Sequence, residues 1–296
     1  MIEKTWTIKE LLDVTITYLE EKKIPDPRPS AEILLAHQLK IDRLRLYLEY
    51  DRPLNQLELG GYRNLIRRRL LREPVQYITG RQEFWSMEFE VSPQVLIPRP
   101  ETELIIEQLI RIIKTQKNEK ADQSPLNVLD VGTGSGAIAL AVASELTDAV
   151  IWASDISQGA IEQATLNANR HGLADRIHFL VGDLFEPVKN LNLSFDFILT
   201  NPPYVASEDF DSLPLEIKHF EPRIALDGHQ GGMFYIKKIL RQAPVFLKPG
   251  GWLMMEMDTR QISSAKELLK EMNQFGETRS IQDYSRKERI LMTQKT

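Results

Sequence analysis

From residue 127 onward, short apolar runs alternate with segments of helical length, and this rhythm restricts the possible folds more than any other feature of the chain. The runs fall at 128–131, 150–154, 177–181, 195–200 and 252–257, with helix-length stretches at 137–144, 157–171, 233–246 and 263–272. Strands that alternate with helices pair in parallel through crossovers, so the sequence predicts an α/β fold with a doubly wound sheet. Residues 278–293 hold two further strand-like runs split by Asp283-Tyr284-Ser285-Arg286, which fits a terminal hairpin at the sheet edge.

The first part of the chain reads differently. Thr7-Ile8-Lys9-Glu10 has capping-box form, and Ile8, Leu11, Leu12, Thr15, Tyr18 and Leu19 follow at helical spacing. Three prolines within 24–29 break that helix, and others are expected at 30–40 and around 44–48. Asn55-Gln56-Leu57-Glu58 opens a last one that stops before Pro74. The expected organisation is a helical bundle at 1–80, a β-hairpin linker at 81–95 around Phe84, Trp85 and Phe89, and the α/β body at 96–296. The polar stretch 114–125 reads as a surface loop within that body.

Length and composition agree with this division. A chain of 296 residues suggests about two domains. There is no cysteine, which excludes disulfides, thiolate metal sites and a cysteine nucleophile. A net charge of -5 argues against a chain built mainly to coat nucleic acid. No run approaches the roughly 20 apolar residues of a membrane span, and the N-terminus lacks a signal-peptide core, so a cytoplasmic protein is expected.

The chemistry concentrates at the ends of the predicted strands. Val128 to Gly136, VLDVGTGSG, is a buried strand that turns through Gly132, Thr133, Gly134, Ser135 and Gly136 into a helix. Glycine permits the turn and lets backbone approach a ligand, while the helix N-terminus presents its amides. The spacing is G-x-G-x-G rather than the dinucleotide G-x-G-x-x-G, and Asp130 precedes it. An acid beside the loop suits a zwitterionic amino-acid moiety such as that of S-adenosylmethionine better than a pyrophosphate. Asp155 closes the second strand, where a carboxylate can accept both hydroxyls of a ribose. Asp183 closes the third, where it can accept from an adenine amino group while Leu184 or Phe185 covers the ring. Each acid has a plainer reading as well, Asp155 as a helix cap or loop acid and Asp183 as a loop acid beside a core aromatic, but ligands of open α/β sheets bind at these strand ends.

The fourth strand runs into Asn201-Pro202-Pro203-Tyr204. Two prolines stiffen the backbone and present its carbonyls as acceptors. Asn201 adds a side-chain oxygen and Tyr204 an aromatic face. A planar NH2 group fits such a corner, with one N–H on the Asn201 oxygen, the other on the Pro202 carbonyl and the flat body against Tyr204. A rigid proline loop is the plainer interpretation. His219 is the one candidate general base, and no metal is called for.

With those motifs in view, VLDVGTGSGAIAL, Asp155, Asp183 and TNPPYV resemble the seven-stranded, Rossmann-like class I methyltransferases of planar nitrogens. REPVQYITG at 72–80, LIPRPETE at 96–103 and FEPRIALDGHQGG at 220–232 narrow the resemblance to the release factor glutamine methyltransferase family, HemK/PrmC. The resemblance implies transfer from S-adenosyl-L-methionine to the glutamine side-chain amide in the Gly-Gly-Gln loop of class I peptide chain release factors. It implies cofactor contacts from Gly132–Gly136, Asp155, Asp183, Leu184 and Asn201, a substrate clamp at Asn201, Pro202, Pro203 and Tyr204, and docking of the release factor by the helical head. Leu184 stands where the family often has an aromatic, and Glu256-Met257-Asp258 departs from the expected pattern at a place taken to be remote from the chemistry.

Three other functions compete. An adenine-N6 nucleic acid methyltransferase shares the clamp but needs a basic target-recognition surface. A ribosomal-protein glutamine methyltransferase differs only in its partner surface. A non-catalytic cofactor sensor has no use for an amide clamp. Arg63, Arg67, Arg68, Arg69 and Arg72 form either a partner-binding face or an ordinary solvated helix surface.

Overall fold

The structure is a computed structural model that describes residues 5–117 and 125–296. The polar stretch expected as a loop is helical as far as Lys117, and its remainder, 118–124, lies outside the described residues.

The chain forms two compact units. The first comprises Met1–Arg81 with Pro214–Phe220. Its helices are α1 (Ile8–Glu21), α2 (Pro27–Leu39), α3 (Arg43–Leu48), α4 (Gln56–Leu70) and α5 (Val75–Thr79). Both capping boxes are present: Glu10 N donates to Thr7 Oγ1 at 3.3 Å, and Glu58 N donates to Asn55 Oδ1 at 2.9 Å. Such caps satisfy amides that would otherwise lack partners. Buried Leu12, Leu19, Leu34, Leu35, Leu46 and Tyr62 make the core, and the Tyr62 hydroxyl donates to the Ala31 carbonyl at 3.1 Å.

Helix α2 starts at Pro27, three residues before the sequence places it at 30. The first turn of a helix needs no N–H from proline, so Pro27 and Pro29 open the helix instead of preceding it. The basic helix also divides. Arg69 is 4% exposed and donates to Ser30 Oγ, the Pro25 carbonyl and Glu216 Oε1 at 3.2, 3.1 and 3.1 Å, so it is a structural tie. Arg68 is paired with Glu73 and Arg72 with Glu216; Arg63, Arg67 and Arg68 are the exposed arginines of α4.

The second unit comprises Gln82–Leu213 and Glu221–Thr296. Strands β1 (Arg81–Phe84) and β2 (Met87–Glu90) form the hairpin, and the buried Phe84 and Phe89 rings meet edge to face at 6.1 Å. The unit continues through α6 (Glu103–Lys117), β3 (Asn127–Val131), α7 (Ala137–Glu145), β4 (Val150–Asp155), α8 (Gln158–Arg170), β5 (Ile177–Val181) and β6 (Phe195–Thr200). After α9 (Leu215–Phe220), which belongs to the first unit, come α10 (Phe234–Phe246), β7 (Leu247–Glu256), α11 (Thr259–Met272), β8 (Phe275–Gln282) and β9 (Glu288–Lys295). The hairpin packs on α8, where Glu90 N donates to Asn167 Oδ1 at 2.7 Å and Arg170 pairs with Glu88 and Glu90.

The seven strands of the large sheet run in the order β5-β4-β3-β6-β7-β9-β8. All pairs from β5 to β7 are parallel, and β9 is antiparallel to both neighbours. Leu129, Phe195, Ile198, Leu253, Met255 and Leu291 pack with Ile236, Ile239 and Ile262 of the flanking helices. Burial on both faces explains why these strands read as continuous apolar runs. The register puts Val131 beside Ser154 and Thr200, so β3, β4 and β6 end together. The topology reverses at β3, and the cleft there is where an open α/β sheet binds its ligand.

Candidate active site

At the end of β3 the chain turns through Gly132, Gly134 and Gly136 with φ of 74°, 57° and 84°, a region in which side chains are strained. Gly132 N and Thr133 N donate to the Ser154 carbonyl at 2.8 and 2.9 Å, folding the loop over the end of β4. A Cβ on Gly132 or Gly134 would meet nothing within 4 Å, so the loop borders open space. At Gly136 a Cβ would lie 2.7 Å from Leu140 Cδ1 and 3.1 Å from Ala164 Cβ; this glycine lets α7 and α8 approach each other.

That open space is a pocket of about 1010 Å³ including its mouth, at the upper limit of the range for sites of drug-sized ligands. Gly132, Thr133, Gly134 and Ser135 form one wall, and Asp155, Asp183, Leu184, Asn201 and Pro203 form others. Five of these residues stand at the ends of β4, β5 and β6, as the parallel sheet requires. Gly136, Pro202 and Tyr204 stand behind the lining, as does Phe185, whose ring is buried and stacks on Phe246 at 4.8 Å. Of the two residues considered for covering a ring, Leu184 is therefore the one at the pocket. No histidine lines it, and His219 is exposed on α9. Among the described residues no group of three or more His, Cys, Asp or Glu is placed to hold a metal ion.

Asp155 accepts from Gly134 N through Oδ2 and from Ser157 N through Oδ1, each at 2.9 Å. Burial raises its carboxyl, and these amides oppose the rise. Each oxygen keeps a lone pair for a further donor.

Asp130 does not face the pocket. It is fully buried behind the loop, and its Oδ2 accepts from Thr133 Oγ1 at 2.6 Å and Ala139 N at 3.2 Å while Oδ1 has no partner. Its role is to brace the loop from behind. Burial pushes this carboxyl from 3.8 up to about 7. A raised carboxyl favours the protonated folded state, so its stabilisation is complete below the unfolded value and is lost as pH rises through about 7. Urea unfolding at about pH 5 and about pH 8.5 should therefore show the wild type weakening more than Asp130→Asn. Equal weakening in both would remove Asp130 as the cause.

Around the corner after β6 the structure adds residues that motif spacing did not single out. Asn201 Nδ2 donates to Thr102 Oγ1 at 3.1 Å, Thr102 Oγ1 donates to Glu256 Oε2 at 2.5 Å, and the Tyr204 hydroxyl donates to Glu256 Oε1 at 2.9 Å. Glu256, at the end of β7, is thus joined to the corner and not remote from it. Burial raises both the Glu256 carboxyl and the Tyr204 phenol. The Tyr204 ring packs against the main core, so the free aromatic face expected from sequence is replaced by a tethered side chain. Arg99, also in the lining, is paired with buried Glu221, which accepts from Ile97 N at 3.3 Å as well. This pair anchors the proline-rich segment that carries Thr102. Tyr235 contributes an aromatic ring to the pocket.

The corner also has close backbone neighbours. A Cβ on Gly228 would lie 2.7 Å from the Pro203 carbonyl, and one on Gly232 would lie 2.0 Å from the Tyr204 carbonyl. Gln261 Nε2 donates to that Tyr204 carbonyl at 2.8 Å. Gly228 and Gly232 of GHQGG are there because side chains at those two positions would displace the corner.

Residues 10–80 match the model of the PrmC N-terminal domain, and residues 122–289 match that of a methyltransferase domain. A release factor glutamine methyltransferase of Geobacter sulfurreducens is 44% identical over 256 residues, 86% of either chain. That of Chlorobaculum tepidum is 40% identical over 291 residues, covering 98% of this chain and 97% of its own. The catalytic domain of hMettl16, solved with an RNA hairpin, has the same fold with a TM-score of 0.57 at 15% identity, covering 71% of this chain and 76% of its own. With both family models and near full-length relatives in agreement, the chain is a methyltransferase that belongs to the release factor glutamine methyltransferase family.

Proposed function

We propose that the protein methylates the side-chain amide nitrogen of the glutamine in the Gly-Gly-Gln loop of peptide chain release factors, in the cytoplasm, with S-adenosyl-L-methionine as donor. The observation that carries this reading is that Asn201 lines the same pocket as the glycine loop, Asp155 and Asp183. The pocket suits such a cofactor, since its loop has glycines open to the cavity and Asp155 has lone pairs to spare. Gly132 to Ser135 would hold the amino-acid moiety, Asp155 the ribose, and Asp183 with Leu184 the adenine. When bound, the cofactor supplies an electrophilic methyl group.

The protein's task is to make a poor nucleophile react, because an amide nitrogen delocalises its lone pair. Asn201 Oδ1, at the pocket wall, accepts one N–H hydrogen, and the Pro202 carbonyl behind it would accept the other and fix the nitrogen in place. Orientation of this kind contributes up to about 7–11 kcal/mol in favourable cases. The same acceptors stabilise positive charge as it grows on nitrogen. Pro203 forms the adjoining wall, while Tyr204 keeps the corner in place through Glu256. No helix among the described residues is long and apolar enough to cross a membrane, which agrees with a soluble protein substrate.

Incubating the purified protein with methyl-labelled S-adenosylmethionine and a release factor should place label on one glutamine, with none on a Gly-Gly-Ala variant. Label on a ribosomal protein or on adenine in nucleic acid would overturn the substrate assignment.

A further inference from the structure

We infer that Thr102 and Glu256 are positioning residues that set which end of the Asn201 amide faces the substrate, an inference that rests on the amide-clamp reading above. An asparagine amide has a donor end and an acceptor end of almost the same shape, and only the acceptor end can receive a substrate N–H. The protein must therefore choose one of two nearly isosteric orientations.

The choice follows from hydrogen-bond polarity. Two hydroxyls converge on separate oxygens of the Glu256 carboxyl, which as a carboxylate has no hydrogen of its own to donate and accepts from both. Its two oxygens receive the Thr102 hydroxyl at 2.5 Å and the Tyr204 hydroxyl at 2.9 Å. Thr102 has a single hydroxyl proton and gives it to Glu256, so toward Asn201 it can act only as an acceptor. The Asn201 group 3.1 Å away must then be Nδ2, and Oδ1 is left for the pocket. Rotating the amide would set Oδ1 against the lone pairs of Thr102, losing a hydrogen bond and opposing two acceptors. Both Thr102 and Glu256 are buried, at 4% and 1% exposure, so water cannot readily substitute for either. Three separate parts of the chain meet in this relay: the segment entering α6, the exit of β6 and the end of β7.

The test compares Thr102→Val, which keeps the shape and removes the hydroxyl, with Thr102→Ser, which restores it. With an intact release factor, Thr102→Val should lower kcat by about 10- to 100-fold, less than removing the acceptor itself. Its calorimetric affinity for S-adenosylhomocysteine should stay near wild type, and Thr102→Ser should recover most of the rate. A readout independent of turnover is the Asn201 side-chain NH2 pair in protein labelled with 15N-asparagine, identified by its loss in Asn201→Ala. The pair should exchange slowly with water in the wild type and in Thr102→Ser, and quickly in Thr102→Val. Wild-type kcat in Thr102→Val, unchanged exchange, or equal losses of rate, cofactor affinity and melting temperature would each overturn the inference. A wild type that fails to methylate release factor would instead sink the substrate reading, while the exchange measurement still reports on the amide's orientation.

Discussion

Asn201→Ala is expected to lower kcat on a release factor by about 10²–10³-fold, the loss found when one preorganised polar partner of a transition state is removed. That corresponds to about 3–4 kcal/mol of barrier. The substitution deletes the Oδ1 acceptor and also the donor that meets Thr102 at 3.1 Å, so the remaining relay loses its purpose. Cofactor affinity should fall much less, because the glycine loop, Asp155 and Asp183 keep their places in the pocket. Single-turnover rates set against equilibrium binding of S-adenosylhomocysteine separate the two effects. Equal losses would mean that Asn201 serves the cofactor and that the amide is held elsewhere.

The sequence disclosed those parts of the molecule whose cause is local. Ile177–Val181 and Phe195–Thr200 were legible to the residue because each is a short, mostly apolar run closed by turn-forming residues, Gly182-Asp183 and Asn201-Pro202, although only β6 is largely buried. The start of α11 was not: it begins at Thr259, four residues before the stretch expected at 263, because Asp258 and Gln261 form a capping box inside a segment read as loop. Strand β7 begins at Leu247 and not at 252, since Lys248-Pro249-Gly250-Gly251 looks like a turn although Leu247 already pairs with Phe195. The pocket divides in the same way. Its cradle lies in one motif and in acids at strand ends, so spacing revealed it. The Thr102–Glu256 contact spans 154 positions, and only the completed sheet brings those residues together. A two-proline segment leading into a helix gave some hint of rigidity near Thr102, but nothing local pointed it at Asn201. Asp130 was misassigned for a related reason: adjacency to the loop in sequence does not say on which side of the strand the carboxylate lies.

The second large effect is expected at Gly232, which the mechanism never touches. This residue has φ +67, and a Cβ there would lie 2.0 Å from the Tyr204 carbonyl and 2.2 Å from Gln261 Nε2. Gly232→Ala thus combines left-handed strain of about 1–3 kcal/mol with overpacking of about 1–3 kcal/mol. The collision is with backbone, so no rotamer change relieves it, and the Asn201–Tyr204 corner has to move. Gly231 is the internal control: it has φ +62 with nothing within 4 Å of its Cβ position, so Gly231→Ala incurs the strain alone. The melting temperature of Gly232→Ala should accordingly lie several degrees below that of Gly231→Ala, at about 2–4 °C per kcal/mol for a chain of this size. Its kcat should also fall well below that of Gly231→Ala at temperatures where both remain folded, because a corner displaced by about 1 Å misplaces the nitrogen it holds. Two variants with the same melting temperature and the same rate would show that the corner yields freely, and a corner that yields freely cannot be what orients the amide.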